Sequence, residues 1–297
     1  MKSVCYKFLS LLWKGLELPS RWEGAGLPDG DEEWEYVYRE SLRQAVCGIV
    51  WQAVRRLPQE TWPAPALMER WTSDAVMISN DYERIRKIVG RQREVWNRNG
   101  IEATLMKGLV SASMYPCPEL RMSGDIDWYI PGGENWEKAI KVLDVNNIKW
   151  EHDSDGAIRY FVGGVVVEHH PGGLEYSGPI GELYLRCEHI LHHAMVTGIG
   201  FKQVCDYFMA LRFYEGGYDR EEYRMYLKEK GLAGWDEVLR KLPDKLLEMI
   251  MRDGNMGLDK KFRFGGFFRR AFFFMGICPR AYLKRWLGLA FGRIGRI

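Results

Sequence analysis

Two aspartates separated by one residue, Asp125 and Asp127, open the apolar, aromatic run Trp128-Tyr129-Ile130. Such a run predicts a β-strand. Side chains on a strand alternate faces, so both carboxylates are expected on the same side. Like charges held side by side repel, and a cation between them relieves the repulsion. Mg2+ or Mn2+ fills that role with oxygen ligands, and a metal of this kind is in turn a partner for phosphate. A lone D-x-D is also common at a solvated strand end, so its neighbourhood decides. Upstream, Lys107-Gly108 closes the apolar run Ala103–Met106 and opens a short helical segment, Leu109–Tyr115. A strand–Gly–helix turn brings backbone N–H groups and a helix N-terminus to an anion. Gly108 allows close backbone approach, and Lys107 adds a point charge. Arg121 and Ser123 place a fork-shaped cation and a hydroxyl just before the acidic pair. Downstream, Val165–His170 reads as another strand, with Glu168 and His170 on one face and Val167 on the other.

The elements that must position these groups follow from periodicity. Asp31–Leu57 carries Trp34, Val37, Tyr38, Leu42, Ala45, Val46, Ile49 and Val50 at helical spacing. This predicts one amphipathic helix with Asp31 as N-cap, ended by Pro58, Pro63 and Pro65. A second long helix is predicted over Ala66–Asn99, closed by Asn99-Gly100. From Ile101 to Gly173 strands and helices alternate. Strands are expected at Ala103–Met106, Ile126–Ile130 and Val165–His170, with helices from Leu109 and over Asn135–Val145. A hairpin joins Lys149–His152 to Ala157–Val162 through Asp153-Ser154-Asp155-Gly156. Asp153, Asp155 and Glu151 rival Glu168 as a third acidic group, but Asp-Gly between strand patterns marks a hairpin turn. His169 and His170 are candidate metal ligands, although no cysteine or further histidine stands at ligand spacing. Beyond Pro171 the chain reads as helical. Glu182–Thr197 holds His189 and His193 at zinc-helix spacing, without the general-base Glu of H-E-x-x-H because residue 190 is Ile. Phe201–Tyr214 carries Asp206, and a helical pair occupies Glu221–Met251. The expectation is an α+β core over residues 101–175 between helical regions, 1–100 and 176–297.

The order K-G, then R-x-S-G-D-I-D followed by apolar residues, then a strand ending E-x-H, resembles the nucleotidyltransferase superfamily typified by DNA polymerase β. More narrowly it is similar to a bacterial branch carrying L-K-G and R-x-x-D-I-D. The resemblance is motif-specific over Ala103–Gly173. It implies a small mixed sheet with flanking helices, with Asp125 and Asp127 as metal ligands. Glu168 becomes the third carboxylate, catalytic and metal-binding, and His170 a supporting group. Gly108 belongs to the phosphate-binding turn, and Lys107, Arg121 and Ser123 join it in nucleotide binding. Two departures stand out: the usual Gly-Ser of the turn is Lys107-Gly108, and Gly124 separates Ser123 from the first Asp. The implied activity is metal-dependent transfer of a nucleoside monophosphate from an NTP to a hydroxyl-bearing acceptor. Two alternatives are a non-catalytic NTP-binding module that regulates a partner and a membrane-surface protein of glycan assembly.

Composition narrows the setting. At 297 residues the chain is long enough for a substantial core, and 46% hydrophobic with 28% charged residues argues against wholesale disorder. Six cysteines without a C-x-x-C suit reduced thiols, hence a cytoplasmic location, better than disulfides or a zinc site. No run approaches the ~20 apolar residues of a membrane span. The first residues, interrupted by Lys7 and Lys14, read as an amphipathic helix and not as a signal peptide. Residues 260–297 hold ten Lys and Arg, no acidic residue, and many interleaved aromatics. Packing of these aromatics on the body is the favoured reading, with peripheral contact to anionic membrane or a nucleic-acid face as the alternatives. No clear nucleic-acid partner emerges, since the arginines of Ala66–Asn99 alternate with acids and mark a solvated helix face.

Overall fold

The computed structural model describes residues 4–19, 24–153, 156–172, 178–196 and 199–253. The chain divides into two compact units: Leu11–Leu18 with Leu27–Tyr176, and Met1–Ser10 with Pro19–Gly26 and Ser177–Ile297. The helices are α1 (Val4–Gly15), α2 (Gly30–Arg43), α3 (Cys47–Arg55), α4 (Pro65–Arg98), α5 (Gly108–Ala112), α6 (Glu134–Val145), α7 (Pro179–Val196), α8 (Phe201–Phe213), α9 (Arg220–Glu229) and α10 (Ala233–Asp253). The strands are β1 (Thr104–Met106), β2 (Asp125–Ile130), β3 (Trp150–His152), β4 (Ile158–Val162) and β5 (Val165–Pro171). They form a mixed sheet in the order β1-β2-β5-β4-β3. β2 and β5 run parallel, and the other neighbours are antiparallel. The α+β class expected from the sequence is the class found.

One face of the sheet is closed by α4 and α6. Ile85, Ile88, Val89 and Trp96 of α4 and Ala139 and Leu143 of α6 pack with Ile126, Trp128, Ile130, Ile158, Tyr160, Val165 and Val167. A polar chain runs through this core. Trp128 Nε1 donates to Gln92 Oε1 at 3.0 Å, and Gln92 Nε2 donates to Tyr160 Oη at 2.9 Å. Tyr160 Oη lies 2.7 Å from His169 Nε2. Burial holds His169 neutral by lowering its pKa from 6.5 to about 3. The unfolded chain therefore takes up a proton that the folded chain refuses. The stability linked to His169 is full above 6.5 and is lost as pH falls toward 3. His169→Gln is expected to flatten the acid limb of urea-unfolding stability, by up to ~1.4 kcal/mol per pH unit within that window. Parallel pH profiles for the variant and the parent would refute this.

Two helix boundaries depart from expectation. The single helix predicted over Asp31–Leu57 is α2 and α3, broken where Ala45 takes φ 54°. Val46 N–H donates to Ser41 O at 2.9 Å and Ala45 N–H to Leu42 O at 3.1 Å, the paired bonds of a Schellman cap. Alanine stands where glycine usually signals this stop, and fully buried Val46 supplies the apolar contact that holds it. Asp31 lies inside the first turn of α2 with Glu32 and Glu33, where negative charge complements the helix dipole, and it is not the N-cap. The same cap closes α4 where the sequence predicted it, with Gly100 at φ 61° and Ile101 N–H bonded to Trp96 O at 2.9 Å.

The start of α3 also fixes the approach to β2. A Cβ at Gly48 would lie 2.4 Å from the Leu120 carbonyl oxygen, at the end of the 3₁₀ turn Pro118–Leu120. Backbone meets backbone there, so Gly48→Ala is expected to cost ~1–3 kcal/mol, read as a lower urea midpoint. An unchanged midpoint would show that the contact yields.

In the other unit, Tyr207, Tyr223 (2.9 Å) and Arg240 (2.6 Å) all converge on Asp236. Asp206 of α8 is buried. His189 and His193 of α7 stack edge to face 4.4 Å apart. The basic aromatic tail, residues 260–297, lies outside the described residues, as does Asp155. No helix among the described residues is long and apolar enough to cross a membrane.

Candidate functional site

The face of the sheet opposite α4 and α6 carries the charged residues, because alternation along each strand sends its apolar partners to the core. On β2, Ile126, Trp128 and Ile130 belong to the core, so Asp125, Asp127 and Tyr129 take the other side. Strand register then lines up a row. Asp127 stands opposite Met106 of β1 and Glu168 of β5, Glu168 opposite Arg159 of β4, and Arg159 opposite Glu151 of β3. Tyr129 pairs with His170, and Asp125 with Val166.

Asp127 and Glu168 are thus carboxylates on adjacent parallel strands, and three cationic or protonatable groups gather around them. Lys107 Nζ lies 3.4 Å from Asp127 Oδ1. His170 Nε2 lies 3.1 Å from the same oxygen and 3.6 Å from Glu168 Oε2. Arg159 reaches Glu168 Oε1 through Nε at 2.9 Å and Nη2 at 2.6 Å, and Nη2 also meets Asp153 Oδ2 at 3.1 Å. Asp127 is 2% exposed. Burial alone would raise its pKa, but the His170 hydrogen bond and the Lys107 charge outweigh burial and hold it below the ordinary carboxylate value. The carboxylate is ionised at neutral pH, inside the sheet, facing Lys107 and the His170 ring.

Asp127, Glu168 and His170 offer ligand atoms that all lie within 4.8 Å of one another. Among the described residues this is the one group of three or more His, Cys, Asp or Glu so placed. Two carboxylates and an imidazole suit a divalent cation, so the donor set fits the metal that the sequence asked for. Asp125 shares the face but sits at the exposed first position of β2, outside this trio. His169 points into the core and is no part of the site. His189 and His193 gain no third ligand among the described residues.

The Lys107-Gly108 turn is built under strain. Lys107 adopts φ 47° and ψ −136°, a conformation natural to glycine. Such a backbone in a side-chain-bearing residue costs ~1–3 kcal/mol and tends to mark functional sites. Gly108 follows at φ 28°, and a Cβ there would lie 3.3 Å from the Asp125 carbonyl oxygen. The turn therefore packs directly on β2 and delivers the Lys107 ammonium to Asp127. α5 is only Gly108–Ala112, so its macrodipole is small, and what the turn can offer an anion is chiefly its N–H groups and Lys107. Arg121 is buried, donates to Ser123 Oγ at 2.8 Å, and lies 6.0 Å from the centre of the Tyr115 ring. Arg121 and Ser123 thus hold each other and shape the segment leading into β2.

A family model described as an uncharacterised nucleotidyltransferase matches residues 30–179, half of the chain, from the start of α2 to the first residue of α7. The chain belongs to that family. No curated protein and no solved structure gives a significant match. The nucleotidyltransferase match contains Lys107, Asp125, Asp127, Glu168 and His170. It also contains Arg159, a site residue that motif reasoning missed. Its signal lay in the hairpin: Gly163-Gly164 is a two-residue turn with both φ values positive, which pairs Val162 with Val165 and so sets Arg159 opposite Glu168.

Proposed function

We propose that this nucleotidyltransferase moves a nucleoside monophosphate from an NTP to a hydroxyl-bearing acceptor, using a divalent cation. The observation that carries the reading is the convergence of Asp127, Glu168 and His170 beside the strained Lys107-Gly108 turn, within a family-matched sheet. Asp127 and Glu168 would hold the cation with His170 in support, and Asp125 would extend the set from the strand's first position. The cation, Mg2+ or Mn2+, supplies charge neutralisation on the phosphates.

In this reading the acceptor oxygen forms a bond to the α-phosphorus while the bond from that phosphorus to the bridging oxygen breaks, releasing pyrophosphate. The acceptor's proton leaves toward Glu168. Arg159 holds Glu168 Oε1, so Oε2 is the oxygen that faces the site and favours that loss. Lys107 and the N–H groups at Gly108 bind phosphate oxygens, and Arg121 with Ser123 completes the nucleotide contacts at the start of β2. These donors stabilise charge as it develops on the leaving pyrophosphate. Lys107→Met is expected to weaken NTP binding and turnover together, because the ammonium serves ground and transition states alike.

The test is a screen of the four NTPs with Mg2+ or Mn2+ against sugars, antibiotics, RNA and protein extracts, read as pyrophosphate release with label appearing on an acceptor. Metal-dependent binding of NTP without any pyrophosphate release would favour a regulatory NTP-binding module instead.

A further inference from the structure

Resting on that reading of the site, we propose that His170 is a metal ligand that makes the site selective for Mn2+ over Mg2+. Three features of the trio carry this. First, one imidazole nitrogen faces both carboxylates: His170 Nε2 is 3.1 Å from Asp127 Oδ1 and 3.6 Å from Glu168 Oε2. Two ligands at right angles on a small divalent ion, each ~2.1 Å from it, lie ~3 Å apart. The two separations from His170 Nε2 are thus close to those of neighbouring ligands on one octahedral face, and all three ligand atoms lie within 4.8 Å of one another. Second, the ring is held in place. His170 stands opposite Tyr129 in the β2–β5 register, and their rings meet edge to face at 6.1 Å. Its side chain is 18% exposed, too enclosed to swing freely into solvent.

Third, the all-oxygen alternative is only half assembled. Asp125, the carboxylate that would complete an oxygen-only set, lies outside the trio, while one oxygen of Glu168 is occupied by Arg159. Mg2+ is a hard ion that keeps oxygen ligands and holds its waters tightly, whereas imidazole nitrogen suits transition-metal ions. A set of two carboxylates and one imidazole therefore favours Mn2+ over Mg2+.

The test uses the full chain with Mn2+ alone as probe, followed by electron paramagnetic resonance. Binding silences the sharp hyperfine lines of free aqueous Mn2+, and pulsed measurement reports any nitrogen bound directly to the ion. The expected result is nitrogen modulation in the parent protein and poor displacement of Mn2+ by excess Mg2+. His170→Asp, which makes the set all-oxygen, is expected to remove the modulation and to cut the preference for Mn2+ over Mg2+ by ~10-fold or more, the scale on which even outer partners of a metal act. Bound Mn2+ without nitrogen modulation in the parent overturns the inference and leaves nucleotidyl transfer standing, whether or not the variant folds. No Mn2+ binding at all overturns both.

Discussion

Asp127→Asn is expected to abolish cation-dependent NTP binding and to lower any turnover by ~10³-fold or more, since a single preorganised charge-stabilising contact alone is worth ~10²–10³-fold. The substitution preserves shape and removes one thing, the negative charge that His170 and Lys107 converge on. Asparagine offers one neutral oxygen where the carboxylate offered two sharing a negative charge. Lys107 keeps partial access to water, with 25% of its side chain exposed, so it tolerates the loss of its partner without unfolding the sheet. Asp125→Asn is the informative comparison. Asp125 sits at the exposed end of the strand and outside the trio, so a smaller loss is expected there than at Asp127. Calorimetry of NTP binding with and without Mg2+ or Mn2+ ranks the two variants. Undiminished cation-dependent binding in Asp127→Asn would remove the site from this face of the sheet.

The parts of this arrangement that were legible in the sequence are the ones set by local rules. Alternation put Asp125 with Asp127 and Glu168 with His170, whereas His169, a candidate ligand beside His170 in the sequence, is buried in the core. The Asn99-Gly100 stop is chemistry read within four residues; the Gly163-Gly164 turn, equally local, emerges only with the structure. What stayed hidden depends on strands that meet across a long connection. β2 pairs with β5 in parallel, and only that pairing sets Asp127 beside Glu168 and leaves Asp125 beside apolar Val166. No turn between the two strands fixes such a register, because α6, β3 and β4 intervene. The α2–α3 break was hidden for another reason: alanine in a left-handed conformation carries no mark in the sequence, and tertiary burial of Val46 decides it. The strain at Lys107 belongs to the same class. A lysine before a glycine reads as a flexible turn, yet Lys107 itself takes the glycine-like conformation, next to a Gly108 that lies close to the β2 backbone and with its ammonium 3.4 Å from Asp127.

Glu168→Gln is expected to separate chemistry from binding. Turnover should fall ~10²–10⁴-fold, the usual worth of a positioned proton acceptor, while cation-dependent NTP binding falls much less than in Asp127→Asn, since the buried Asp127 charge remains to hold the cation. The geometry makes the substitution a clean one. Arg159 donates to Oε1 through two nitrogens, and a glutamine oxygen in that place still accepts both bonds, so the side chain stays anchored. What disappears is the basicity of the second oxygen, the one that lies 3.6 Å from His170. The hairpin acid that competes for the third-carboxylate role gives the control. Asp153 touches Arg159 at 3.1 Å, across side chains that are 39% and 36% exposed. An ion pair so open to water contributes no more than ~1 kcal/mol. Asp153→Asn should therefore loosen the second arm of Arg159 and shift turnover only slightly, through the tilt of Glu168. The two variants can be ranked by single-turnover rates at saturating NTP once an acceptor is in hand. If Asp153→Asn is the one that stops turnover and Glu168→Gln keeps it, the proton leaves toward the hairpin, and Arg159 anchors the catalytic carboxylate from the other side.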